Sequence, residues 1–239
     1  MAQNNLRIVT NNAVTQVNAS TTAKSLNDYK SQFDTGTTFT ITTTNLTGPV
    51  VVVAMLTEAV GSVTMTVTGQ TAVTELTTSS YTGQTVGFGG GKYIASYFTL
   101  ATGTTSFTVT FSSSVKVSRF IIGNYWSPKY NTGFGVQVGY TDSTSIERLQ
   151  SGDQYVTLAP RSKTLQFELQ YMDESDKFKL FDIVKSLGKT KPMFVSVFPE
   201  DADKEKEQMY SIYGRFTSLS NISYVMYTMY SSSLQFEEV

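Results

Sequence analysis

The chain has no cysteine and no histidine among its 239 residues. Without cysteine there is neither a disulfide framework nor a thiolate metal site. Without histidine it lacks the side chain best suited to proton transfer near neutral pH and the commonest metal ligand. Most nucleophilic triads and most transition-metal sites are excluded on these two counts; carboxylate chemistry and hard-cation sites remain. Charge is sparse and balanced, with 18 Lys/Arg against 19 Asp/Glu, which argues against nucleic-acid binding through phosphate contacts. The longest apolar run, Val50 to Leu56, is far short of the ~20 residues that a membrane helix needs, so no membrane insertion is expected. The opening MAQNNLRIVTNN shows no basic segment followed by an apolar core, so export by a signal peptide is not expected.

What is abundant is threonine and serine in the first half. Residues 1–120 hold six Lys/Arg and four Asp/Glu; residues 121–239 hold twelve and fifteen. TTFTITTT (37–44), GSVTMTVTG (61–69) and TSFTVTF (105–111) read as strands, and Gly48, Gly61, Gly69, Gly83 and Gly103 punctuate them. Short strands between turn signals predict an antiparallel β-sandwich or jelly roll over 36–122. Threonine suits the wet face of such a sheet, since its branched Cβ favours extended backbone while its hydroxyl stays in water. Residues 1–35 are weakly patterned and read as an arm or as opening strands.

Composition shifts at FIIGNYWSPKYNTG (120–133), where Pro128 biases Ser127 toward an extended conformation and lacks a ladder donor. A junction is placed there, with the only tryptophan, Trp126, as an anchor between two parts. In 123–239, GFGVQVGYT (133–141), DQYVTLA (153–159) and KTLQFELQYM (163–172) read as strands. A helix is predicted over 174–187, with Asp173 or Ser175 as its cap and Gly188 as its stop. Its apolar residues, Phe178, Leu180, Phe181, Ile183, Val184 and Leu187, read as one broad stripe laid on a sheet. Strands follow at 192–198, 208–219 and 233–239. The fold class is mainly β or α+β, with one helix flanking a second β-sandwich.

Candidate chemistry is thin. VGFGGGKY (86–93) is not a phosphate loop, because valine stands where the first glycine belongs and Tyr93 follows Lys92. PEDADKEKEQ (199–208) puts Asp201 and Asp203 in reach of a cation but lacks the glycine and terminal Glu of a calcium loop; its alternating charges read as a solvated hairpin tip that contacts a neighbouring subunit. Glu168, Asp173 and Glu174 do not read as carboxylates facing each other across the ~5–10 Å of a sugar cleft. YVMYTMY (224–230) is rich in the Tyr and Met that interfaces favour, and makes Tyr224 and Tyr227 candidates for a subunit contact or for core. No catalytic residue, cofactor or metal site is expected.

Three stretches together resemble the distal tail proteins of long-tailed bacteriophages: SRFIIGNYWSPKYN (118–131), LAPRSKTLQFELQYM through the helix to KPMFVSVFPED (158–201), and YGRFTSLSNISYVMYTMYSSSLQFEEV (213–239). The resemblance implies a tail-tube-like belt domain over 123–239 and a galactose-binding-like sandwich before it. LTEAVGSVTMTVTG (56–69) is similar to a strand–loop–strand of that sandwich, with Glu58 and Ala59 where the family pattern often has asparagine and histidine. It implies a virion structural protein at the tail tip, assembled in the host cytoplasm, whose six copies close into a ring. Its partners would be itself, the tail tube protein and the baseplate hub or tail fibre proteins. Trp126, Phe178, Phe181, Asp201, Asp203, Tyr224 and Tyr227 are the candidate interface residues. The alternatives are a tail-tube or decoration subunit, and a carbohydrate-binding module for a host surface glycan, with Tyr81 and Tyr93 as its exposed aromatics.

Overall fold

The computed structural model describes residues 5–26, 32–57, 63–69, 77–81, 92–148, 150–159, 161–218 and 221–239, with backbone alone at 69, 77–81, 92 and 101–102. The protein is mainly β. A twelve-stranded sheet, paired antiparallel throughout, holds most of the chain, and a two-stranded ribbon stands apart from it. Among the described residues there are two α-helices.

In the first half, β2 (Val14–Val17), β3 (Asp34–Leu56), β4 (Val63–Gly69), β5 (Thr77–Tyr81) and β6 (Lys92–Trp126) pair with one another. β3 and β6 are long and bend. Val50–Leu56 lies between both ends of β6, Val52 facing Ile122 on one side and Ser96 on the other. Both of its faces are buried as well, which explains its continuous VVVVAML sequence, since a strand covered on both faces has no wet side to alternate with. Its side chains divide with the period of two. Val50, Val52, Ala54 and Leu56 enter one core with Phe39, Phe107 and Phe120; Val51, Val53 and Met55 enter another with Tyr93, Tyr97, Phe194 and Tyr213. The second core joins the two halves of the chain.

β1 (Arg7–Val9) lies between β6 and β11 (Met193–Ser196), Ile8 facing Trp126 on one side and Val195 on the other. The sheet then runs through β12 (Ser211–Phe216), β14 (Met229–Glu238), β10 (Arg161–Met172) and β7 (Gln137–Asp142), with β13 (Ile222–Met226) on the outer part of β14. Leu165, Phe167 and Leu169 point into the C-terminal core, and Gln166 and Glu168 point out. Each large core side chain contributes roughly 1.5–3 kcal/mol by burial.

Helix α1 (Glu174–Leu187) packs on β10 and β14. The Asp173 carboxylate accepts the Asp176 N–H at 2.9 Å at its start. At its end Gly188, with φ of 53°, donates to the Val184 carbonyl at 3.0 Å. The single apolar stripe needs correction. At about 100° per residue, Leu180, Ile183, Val184 and Leu187 lie within about 100° of one another, and these face the core. Phe178 falls nearly opposite, and Phe178 and Phe181 are 58% and 57% exposed.

Residues 199–208 are also corrected. The predicted hairpin tip is instead a capped helix, α2 (Lys204–Met209), whose Glu207 and Gln208 are buried. Asp203 accepts the N–H groups of Glu205 and Lys206, and Asp201 pairs with Lys206 at 2.8 Å. Of VGFGGGKY, residues 86–91 lie outside the described residues, as do Glu58 and Ala59.

Candidate functional site

β7 and β10 form a hairpin that continues past its own sheet. Pairing ends at Asp142 opposite Arg161, and after a bend β8 (Ser145–Arg148) pairs with β9 (Gln154–Thr157) as a separate ribbon. The bend is pinned. Asp142 accepts the Thr144 N–H at 2.9 Å and pairs with Arg161 at 2.9 Å. The Thr144 hydroxyl accepts the Ala159 N–H at 3.3 Å. Hydrogen bonds from Thr144 first, then from Arg161, bring the Asp142 carboxyl down to about 2. Every residue of both ribbon strands is exposed. They include Ile146 and Tyr155, 64% and 61% exposed, with Val156 beside them and Leu158 just beyond. An isolated two-stranded ribbon is marginal in water, and apolar side chains on both of its faces are a surface that lacks a cover.

A second apolar surface lies at the other end of β10. Met172 faces Tyr230 there, so the groove and the ribbon are separated by the length of β10, roughly 35 Å for a twelve-residue strand. Phe178 and Phe181 on the outer side of α1 meet Ile222, Tyr224 and Tyr230, with Lys177, around a groove of about 300 Å³. Lys177 Nζ sits 4.4 Å from the Phe178 ring centre and 4.2 Å from that of Tyr230. Hydrogen bonding to Tyr230, then to Glu174, raises the Lys177 ammonium above its ordinary value. Tyr224 and Tyr230 meet edge to face at 5.4 Å. Beyond them the hairpin turns at Tyr227 and Thr228, and Val225, Met226 and Tyr227 are exposed.

The structure thus brings Phe178, Phe181 and Tyr224 together and sets Tyr227 at the adjoining tip. Trp126 lies elsewhere, half-buried at the end of β6 and packed against the C-terminal core. Asp201 and Asp203 are occupied in building α2. Among the described residues, no group of three or more His, Cys, Asp or Glu side chains could hold a metal ion, and no helix is long and apolar enough to cross a membrane. Glu168 is on the exposed face of β10, Asp173 caps α1, and Glu174 pairs with Lys177 at 3.4 Å. The backbone N–H of Asp176 first, then the Ser175 hydroxyl, hold the Asp173 carboxyl below its usual range.

Tyr93, an expected exposed aromatic, is buried in the core between the halves. Its hydroxyl donates to Glu238 at 2.8 Å and accepts the Tyr213 N–H at 3.3 Å. Burial first, then the Glu238 charge, push it well above the ordinary tyrosine value. Arg119 donates to the Tyr213 hydroxyl, and Lys163 Nζ donates to the carbonyls of Gln208 and Ser211. This polar seam joins residues up to 145 positions apart, and no local sequence signal marks it. Tyr81 is described by its backbone only. Compared with known protein families, curated proteins and solved structures, the chain matches none.

Proposed function

We propose that the protein is a structural subunit of a bacteriophage tail tip, six copies of which close into a ring joining the tail tube to the hub and receptor-binding apparatus. The observation that carries the assembly half of this reading is the β8–β9 ribbon, which exposes Ile146, Tyr155 and Val156 at one end of β10. The apolar groove of Phe178, Phe181 and Tyr224 lies at the other end. Two different uncovered surfaces at opposite ends favour head-to-tail association, which closes a ring or extends a filament. The resemblance of residues 118–131, 158–201 and 213–239 to distal tail proteins selects the ring and the tail-tip location.

Mass photometry tests the assembly. Six copies of the 26.3 kDa chain give about 158 kDa, and Ile146→Asp together with Tyr155→Asp should return monomers with an unchanged melting temperature. A wild-type protein that stays monomeric at micromolar concentration sinks the ring. Copy number in virions separates the tip from the tube: a few copies at the tip support the proposal, and a copy for every ring along the tail overturns it.

A further inference from the structure

The sequence expectation of a sugar site relied on exposed aromatics in the first half, and Tyr93 is buried. A better surface of that kind lies in the second half. A depression of about 490 Å³ opens between the 131–136 segment, the end of β10 and the approaches to α2. Its floor is the edge of the C-terminal core, where Val136, Phe198 and Tyr210 pack, with the two rings edge to face at 4.9 Å. Its rim carries Phe134, wholly exposed, and Tyr171, half exposed.

A break in the strand builds this rim. β10 alternates regularly up to Leu169, then slips against β14 between Leu169 and Met172. Leu169 and Met172 both point into the core, so Gln170 and Tyr171 between them are both displaced outward, toward the depression they line. Bulges of this kind re-aim side chains beside functional sites. Gly133 lies against the Gln170 side chain, and a Cβ at this glycine would collide with the amide. The Gln170 amide has no hydrogen-bond partner among the described residues, although the side chain is half-buried.

The chemistry of the lining restricts the ligand. None of the residues around the depression is an acid or a base; Lys206, 4.4 Å from the Phe198 ring centre, is paired with Asp201 at 2.8 Å. Phosphates, nucleotides and carboxylates would need cations here. A lipid chain would leave the amide and hydroxyl groups unpaired at a cost. Aromatic faces beside an amide and tyrosine hydroxyls fit a neutral ring with C–H-rich faces and hydroxyl edges, and the volume is that of a small-molecule site. We infer that this depression, built on the Gln170–Tyr171 bulge, binds a neutral saccharide.

The test is saturation-transfer NMR followed by calorimetry, using neutral gluco-, galacto- and N-acetylglucosamine trisaccharides, with a sulfated trisaccharide as the charged control. One neutral trisaccharide should bind at millimolar concentration or tighter. Tyr171→Ala and Gln170→Ala should each weaken it by about tenfold, the scale of one lost aromatic or buried polar contact. Phe178→Ala, in the other groove, should leave binding unchanged, and circular dichroism of each variant controls for folding. Binding of none of the neutral trisaccharides overturns the inference. So does equal binding of the sulfated one, or binding indifferent to both Tyr171→Ala and Gln170→Ala. If those variants alter assembly mass and not sugar binding, the depression is a subunit contact and the inference is wrong. The readout does not depend on ring formation, so either proposal can fail alone.

Discussion

The Tyr93 hydroxyl donates to the Glu238 carboxylate at 2.8 Å, tying the start of β6 to the end of β14 across 145 residues. The same oxygen accepts the Tyr213 N–H. Tyr93→Phe keeps the ring against Phe194 and removes both bonds. It should cost about 2 kcal/mol, because a carboxylate and a backbone donor each lose a partner away from water. Urea unfolding measures this, and a change below about 0.5 kcal/mol would show that the seam contributes no net stability.

The two faces of α1 should respond differently. Ile183, buried in the C-terminal core, should cost about 2–4 kcal/mol as Ile183→Ala. Phe181→Ser, on the exposed face, should change stability by less than about 0.5 kcal/mol while lowering the assembled fraction in mass photometry. Equal destabilisation by both would mean that Phe181 is core, and would remove the groove as a contact surface.

Lys163 gives a pH dependence. Burial takes its ammonium from an ordinary 10.5 down to about 8, with the Glu238 charge working the other way. Below pH 8 both states are protonated, and the folded state carries the full penalty of about 3 kcal/mol. Between pH 8 and 10.5 the unfolded chain binds more protons than the folded one, so stability rises with pH. Wild type minus Lys163→Met should therefore move in favour of wild type by about 2 kcal/mol from pH 7 to 9.5. A flat difference in paired urea titrations would show that the ammonium is not desolvated.

Elements specified by near neighbours were legible in the sequence. Leu165, Phe167 and Leu169 announce β10 by their alternation, and Asp173 and Gly188 mark both ends of α1. Less was legible where distant packing decides. α2 has no apolar period, and its six residues become a helix because Asp203 caps them and the fold buries Glu207. Tyr93 reads as exposed beside a glycine run, and it is interior because Phe194 and Tyr213, more than 100 positions away, pack around it. The split of α1 into two faces was present in the spacing of Phe178 against Leu180, Ile183 and Leu187. Of the candidate interface residues, those on α1 and β13 converge because Tyr230 on β14 sits between them. The ribbon strand Ser145–Arg148 carries too short and polar a pattern to read as a strand.

β10 carries the ribbon at one end and the groove at the other, and its hydrogen bonds to β7 and β14 run across its axis. A pull applied between those two ends therefore loads the bonds in shear, all together, instead of peeling them one after another. The ribbon and the groove are thus joined along the direction in which a sheet is mechanically stiffest.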